Sequence, residues 1–283
     1  MNFAAMMALA LIMDALVGWP DRLYARIGHP VTWIGGLISA LEARLNRGSV
    51  WSKRSFGAAT VGIVVAASVF PAALLQAMLP SGVAGLVLGG LLAWPLIAAR
   101  SLHHHVAAVA RPLVTDDLAA ARAAVAMIVG RDPTHLDESG VARAAIESLA
   151  ENTSDGIVAP LFWGAVFGLP GLAAYKAVNT LDSMIGHRTT RYEDFGKASA
   201  RFDDLLNLVP ARLTGLLFVL VSYNMKGALG AMLRDARHHR SPNAGWPEAA
   251  MAGGLGIRLS GPRVYGSSIA QEPWVNEGAP DPD

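Results

Sequence analysis

Three short segments gather carboxylates, amides and cations beside apolar stretches, a set able to hold a hard cation and a phosphate. The first is Glu147-Ser148-Leu149-Ala150-Glu151-Asn152-Thr153-Ser154-Asp155-Gly156. On a helix Glu147 and Glu151, four apart, share one face. Like charges so placed repel mildly, and a cation between them would relieve the repulsion. A solvated helix end is the plain alternative. The second segment, 175–187, carries Lys176, Asn179 and Asp182 or Ser183 at helical spacing. A lysine can hold phosphate as a point charge, while a carboxylate and an amide can share a hard metal. An ordinary amphipathic surface helix would look the same. The third is Arg201-Phe202-Asp203-Asp204-Leu205-Leu206-Asn207, leading into Pro210-Ala211-Arg212. Asp203 and Asn207 are four apart with Asp204 adjacent. Paired acids beside an apolar helix suit Mg²⁺, whose octahedron waters complete; an interfacial charge cap is the rival.

Weaker features fill out the inventory. His29 precedes Pro30, a setting in which histidine is usually structural. His103, His104 and His105 are consecutive, so on a helix they diverge by about 100° each and cannot converge on one metal. The glycines at 253, 254 and 256 lack the lysine that a phosphate-binding loop needs. The chain has no cysteine, which excludes disulfides, thiolate nucleophiles and cysteine-based metal sites. Carboxylates, amides and one lysine therefore favour Mg²⁺-dependent work on a phosphorylated or nucleotide substrate over nucleophilic catalysis.

The elements that must position these groups are membrane helices. Hydrophobic residues make up 53% of the chain and charged ones 16%, against roughly 25% charged in a soluble domain. Mean hydropathy is +0.37. A net charge of +1 gives no basic field for nucleic acid. The run 57–99 contains no charged side chain. It is long enough for two spans of about 20 residues each, 57–79 and 82–99, joined by the turn Pro80-Ser81-Gly82. Residues 1–19 form a further candidate span, with Asp14 inside it as a functional suspect. Residues 205–222 form another. Arginines and lysines between 20 and 56, and none in the turn at 80, put the former segment on the cytoplasmic side. The apolar segment 157–174 is interrupted at Leu169-Pro170-Gly171 and is too short before that break to cross, so it reads as re-entrant. Helices over 100–156, with starts at Thr115-Asp116-Asp117 and Asp137-Glu138-Ser139, and over 175–204 read as cytoplasmic. The expectation is an all-α polytopic membrane protein: one helical domain over 1–270 and a disordered tail over 271–283.

At this level of detail the chain resembles the CobD/CbiB family, the adenosylcobinamide-phosphate synthases of cobalamin biosynthesis. The matching pieces include Gly28-His29-Pro30-Val31, Glu42, Glu147-Ser148 through Asp155-Gly156, Ala159-Pro160-Leu161-Phe162-Trp163 and Tyr175-Lys176. They continue through Asn179-Thr180-Leu181-Asp182-Ser183-Met184-Ile185-Gly186, Phe195-Gly196, Asp203-Asp204, Asn207, Pro210-Ala211-Arg212 and Ser241-Pro242-Asn243-Ala244-Gly245-Trp246-Pro247. The resemblance implies ATP-dependent formation of an amide between aminopropanol, or its O-phosphate, and a carboxylate of adenosylcobyric acid. A carboxylate is a poor electrophile, and activation as an acyl phosphate would create a leaving group that an amine displaces.

On that resemblance Glu147, Glu151, Asp155, Asp182 and Asp203 are the catalytic candidates, and Glu147, Glu151, Asp182 and Asp204 the Mg²⁺ ligands. Lys176, Arg201 and Arg212 would neutralise phosphates. His29, Asn152, Asn179, Ser183 and Asn207 would position substrate. The lipid bilayer and other late enzymes of the pathway are the expected partners, and the active face is expected on the cytoplasmic side of the cell (inner) membrane. Two rival classes are a membrane prenyltransferase, since Asn179-x-x-Asp182 and Asp203-Asp204-x-x-Asn207 look superficially like diphosphate-binding metal motifs, and a non-catalytic corrinoid carrier or scaffold.

Overall fold

The computed structural model describes residues 1–130, 132–265 and 268–282. In chain order the helices are α1 (Phe3–Val17), α2 (Asp21–Ile27), α3 (Pro30–Leu45), α4 (Val50–Met78), α5 (Gly82–Ala93), α6 (Ala99–Val114), α7 (Leu118–Val125), α8 (Glu138–Thr153), α9 (Ala159–Ile185), α10 (Lys197–Val221), α11 (Met225–Asp235) and α12 (Gly245–Leu255). Four short strands follow: β1 (Leu259–Ser260), β2 (Arg263–Tyr265), β3 (Ser268–Ala270) and β4 (Trp274–Val275). The polytopic all-α expectation holds. Among the described residues four helical runs are long and apolar enough to cross a membrane: Val50–Met78, Gly82–Val114, Glu138–Ile185 and Lys197–Val221. Only 11% of the apolar window of α4 is buried within the protein, so most of its apolar surface is left for lipid.

Packing divides the chain into two compact units: Met1–Arg100 with Ala159–Asn207, and Ser101–Val158 with Leu208–Asp283.

In the first unit α1 has 15 residues, about 22 Å at 1.5 Å per residue. That is short of a hydrocarbon core of about 30 Å. The expected span 1–19 therefore qualifies only as one half of a broken pair with Arg22–Leu45. Asp14, the suspect carboxylate, is used by the fold itself, since its Oδ2 accepts from the Arg100 backbone N–H at 3.0 Å, at the start of α6. Arg100 in turn donates to the carbonyls of Ala15 and Leu16. One apolar core joins Met6, Met7, Ala10, Ala93, Ile97, Leu169 and Leu172; another joins Ile38, Val64, Ala177, Leu181, Ile185 and Phe195.

The break expected at 169–171 sits at Gly168, with φ 69° and ψ −151° inside α9. Here the chain bends back sharply, so that a Cβ on Gly171 would lie 2.4 Å from the Trp163 carbonyl oxygen. Residues eight apart on a straight helix would be separated by about 12 Å. Breaking the helix strands a backbone donor. The Leu169 N–H gives its hydrogen bond to Gln76 Oε1 of α4, at 2.7 Å. A membrane segment requires that kind of compensation, because no water is at hand to supply it. The arm Leu169–Ile185 then runs antiparallel to α4, from Gln76 near one end to Gly57 near the other, where Gly57 meets the Phe195 carbonyl.

In the second unit the expected helix starts are in place. Asp117 and Asp137 cap α7 and α8, accepting from the backbone N–H groups of Ala120 and Gly140. Between α8 and α9 lies a π-helical turn, Ser154–Val158. Small residues let α11 and α12 approach closely, with Ala228, Ala231, Ala249, Ala250 and Ala252 all buried.

Residues 271–282 make defined contacts within the second unit. β4 pairs antiparallel with β1, Leu259 opposite Val275. Asp281 bridges Arg143 and Arg258, and both guanidinium groups stack on the Trp274 ring at 4.8 and 4.2 Å. The Arg258 hydrogen bond, followed by Arg143, holds the Asp281 carboxyl below its ordinary value of 3.8. A depressed carboxylate stabilises the fold above the unfolded-state pKa, and that contribution is lost as pH falls through the folded-state value. Protease protection of the C-terminal strand should therefore persist from neutral pH down to about 4 and fade below it. Asp281→Asn should be cut faster at neutral pH. Equal cutting of the two proteins at pH 7 would contradict this role.

Candidate active site

Tyr175, Asn179 and Asp182 fall at i, i+4 and i+7 on α9, a single stripe. In the first unit that stripe meets the start of α10. The Tyr175 hydroxyl donates to Asn207 Oδ1 at 3.0 Å. The Asn207 amide, its orientation fixed by that bond, donates from Nδ2 to Asp203 Oδ2 at 2.9 Å. The other oxygen of Asp203, Oδ1, is buried and makes no hydrogen bond of full geometry, and the Asn179 side chain lies within hydrogen-bonding range of the carboxylate. Asp203 is 8% exposed. Asn179 and Asp182 lie beside it, and Asp204 faces Asp182 on one side and Arg188 on the other. His187 stands near Asp182, with Nε2 at 2.8 Å from the Ser183 carbonyl.

The scaffold explains how these groups stay in register. Pro210 in α10 has no N–H to give to the Leu206 carbonyl one turn earlier. The Trp163 indole N–H fills that gap at 3.1 Å, fastening the α9 hairpin to α10 next to Asn207. The connection between α9 and α10 is held by two ion pairs. Arg191 grips Glu42 of α3 with two bonds, at 3.0 and 2.8 Å, and Asn46 supplies a third donor to Glu42. Arg54 of α4 pairs with Asp194 at 2.9 Å.

Not every residue singled out from the sequence is brought here. Asn179, Asp182, Asp203, Asp204 and Asn207 come together, with Lys176 buried on α9 and Ser183 exposed, its hydroxyl turned back to the Asn179 carbonyl. Arg201 is exposed. His29 caps α3, its Nδ1 accepting from the Val31 N–H. Glu147, Glu151, Asn152 and Asp155 belong to the second unit. There Glu147 is 7% exposed and its Oε1 accepts from the Ser260 N–H at 2.7 Å, which fastens β1 to α8. The Asn152 amide turns back onto Ser148. Glu151 is exposed and Asp155 half-buried.

Arg212, also in the second unit, donates to the Leu208 carbonyl and to Asn243 Oδ1 and stacks on Trp246 at 4.5 Å. Those contacts tie it to the segment before α12. Tyr175, Trp163, His187 and Arg188 were not among the expected site residues. The i, i+4, i+7 stripe could have found Tyr175; the other three depend on contacts made after folding.

Among the described residues no group of three or more His, Cys, Asp or Glu side chains is set to hold a metal ion by itself. Mg²⁺ does not need one: it commonly takes one or two carboxylates and completes its shell with waters and substrate phosphates. The Asp203 carboxylate beside Asp182 and Asp204 fits that lighter demand.

Comparison of the whole chain with known proteins bears on what this site serves. Residues 7–283 match the sequence model of the family described as CobD/Cbib protein. The chain belongs to the CobD/CbiB family. The Cobalamin biosynthesis protein CobD of Rhodobacter capsulatus is 64% identical over 283 residues, covering 100% of this chain and 90% of that protein. The protein of the same description from Brucella suis is 51% identical over 280 residues, covering 95% of this chain and 85% of its own length. That from Rhizobium meliloti is 47% identical over 280 residues, covering 96% and 86%. No solved structure matches the chain. Family membership assigns the protein an enzymatic role in cobalamin biosynthesis, and its apolar helices make it a multi-pass membrane protein.

Proposed function

We propose that this protein joins aminopropanol, or its O-phosphate, to a side-chain carboxylate of adenosylcobyric acid as an amide, with ATP driving the ligation. The observation that carries the reading is the buried Asp203 carboxylate beside Asp182 and Asp204, held by the Asn207 and Asn179 amides, with Oδ1 making no hydrogen bond of full geometry. An alkyl amine is protonated at neutral pH and must lose a proton before it can form an amide. A buried carboxylate oxygen with a free lone pair suits that transfer. When bound, ATP and Mg²⁺ supply the phosphoryl group that makes the corrinoid carboxylate reactive.

The chain's own residues do the rest. Asp203 accepts the amine proton at Oδ1, and Tyr175 and Asn207 hold its other oxygen fixed. Asp182 and Asp204 offer the remaining oxygens to a cation. Asn179 and Ser183 orient the polar part of the substrate. Lys176 and Arg201 offset phosphate charge. Glu151 and Asp155 stay candidate acidic groups of the second unit, while Glu147 is reserved for Ser260.

The site reading also has a side. The α9–α10 connection is tied to the end of α4 that carries Lys53 and Arg54, and basic residues favour the cytoplasm. That supports a cytoplasmic active face, where ATP is available, on the cell (inner) membrane. The deciding assay uses purified protein in detergent with adenosylcobyric acid, aminopropanol phosphate, ATP and Mg²⁺, read by mass spectrometry. An amide product that vanishes without ATP, and in Asp182→Ala or Glu151→Ala, is the expected outcome. Tight corrinoid binding by folded protein without any product would replace the enzyme with a carrier.

A further inference from the structure

Helix α9, which carries the carboxylate stripe, is followed directly by Gly186, a glycine required by space rather than by backbone angle. Its φ is not positive, unlike that of Gly28 or Gly168, so on that count any residue could stand there. A Cβ on Gly186 would nevertheless overlap Asp182 Oδ1, and would lie 2.8 Å from Asp182 Cγ and 2.7 Å from the Asp182 carbonyl oxygen. The Asp182 carboxylate therefore rests against the bare Cα of Gly186. Asp182 is half-buried, and Ser183, His187 and Arg188 are exposed next to it in the chain, so water and small ions reach the group.

By itself that resting place is unfavourable for a carboxylate. Asp182 stands in the last turn of α9, where unsatisfied backbone carbonyls concentrate negative charge and cations are preferred. The turn contains no basic residue. Asp204 faces Asp182 from α10, and Asp203 lies on the same side. His187 stands near, with its Nε2 at the Ser183 carbonyl. A side chain at 186 would push the Asp182 carboxylate out of this crowded spot and ease the repulsion, whereas glycine leaves it in place. A divalent cation shared by the carboxylates offsets that repulsion.

We propose that Gly186 is a positioning residue of the carboxylate site, bare so that Asp182 can lay its carboxylate toward Asp204 and a divalent cation between them. The inference rests on the ligase reading for the identity of that cation as Mg²⁺. Gly186 touches neither metal nor substrate and acts through Asp182 alone. A larger residue there displaces a metal ligand without removing any charge from the site.

The test compares wild type with Gly186→Ala. Mn²⁺, which shares the oxygen ligands of Mg²⁺, is titrated in detergent and followed by electron paramagnetic resonance, alone and with ATP. Thermal unfolding and ATP-dependent amide formation are measured on the same samples. Gly186→Ala should bind Mn²⁺ roughly 10–100-fold more weakly, the usual cost of disturbing a group that orients a metal ligand, and should need more Mg²⁺ for turnover. Gly89→Ala is the control, since its Cβ would meet Met6 Sδ at 2.5 Å where α1 packs on α5. It should lower the unfolding midpoint and leave Mn²⁺ affinity unchanged. Equal weakening in both variants would make the loss one of general stability and overturn the proposal. Wild-type affinity in folded Gly186→Ala overturns it too, and leaves the function standing where the wild type makes the amide. If Gly186→Ala does not fold, Asp182→Glu decides. That variant keeps the charge and the glycine but carries the carboxylate past its seat, so Mn²⁺ should bind more weakly, and wild-type affinity overturns the proposal. Absence of Mn²⁺ binding by the wild type in both conditions also overturns it, while amide formation, read separately, decides the function.

Discussion

Asp203→Asn should lower ATP-dependent amide formation by roughly 10²–10⁴-fold, the usual contribution of a positioned proton acceptor. The substitution keeps the shape of the side chain. Its amide oxygen can still accept from Asn207 Nδ2, so the bond at 2.9 Å and the chain back to Tyr175 survive. What changes is the atom in the place of Oδ1, which becomes an NH₂ that can neither take a proton nor bind a cation. Because Oδ1 makes no hydrogen bond of full geometry and the carboxylate is buried, removing its charge should leave the melting temperature in detergent close to wild type. Loss of activity with stability kept is thus the signature. Full activity in this variant would remove Asp203 from the chemistry. Asp204→Asn is a useful companion, since Asp204 is only half-buried and faces Arg188.

Gly168→Val should be strongly destabilising. Residue 168 has φ 69°, where an L-residue is strained by about 1–2 kcal/mol and a β-branched one more. A Cβ there would also come within 2.0 Å of Gln76 Oε1, the atom that receives the Leu169 N–H. Displacing that amide leaves a buried donor unsatisfied, at about 1–3 kcal/mol. Against a total stability of order 5–15 kcal/mol these losses are large. Thermal unfolding in detergent should show a strongly lowered midpoint or no folded protein. Gln76→Leu removes only the hydrogen bond and should fall between that variant and wild type. A Gly168→Val protein as stable as wild type would show that the sharp bend is not needed.

Much of this architecture could be read from residue order alone because it depends on local rules. Charge-free length identifies the helices on either side of Pro80, and Asp117 and Asp137 mark helix starts through short side-chain bonds. A Leu-Pro-Gly triplet flags the bend one residue after Gly168. The second and third polar clusters also turn out to be neighbours, as expected of residues on consecutive antiparallel helices. Failures come where a partner is distant in sequence. Glu147 and Glu151 at helical spacing look equally suited to a cation or to solvent, and nothing local says that Ser260 takes the first of them. Arg143 finds Asp281 across 138 residues, so a Gly- and Pro-rich end that reads as disorder is held in place. The contacts of Arg212 with Asn243 and Trp246 are likewise invisible in local sequence. The family resemblance, carried by motifs over nearly the whole chain, supplied the chemistry that spacing alone left open.

The bond between Gln76 and Leu169 joins positions 93 residues apart, and that separation has a meaning for how the protein is made. Chains emerge from the ribosome N-terminal end first. Helix α4 is therefore in the bilayer, with the Gln76 amide near its end, well before the hairpin that needs it is synthesised. The hairpin arrives to a prepared seat, so its broken backbone need not wait in lipid with a bare N–H. Asp203 and Asn207 come later still. Biogenesis would then build the membrane frame first and close the reactive centre last.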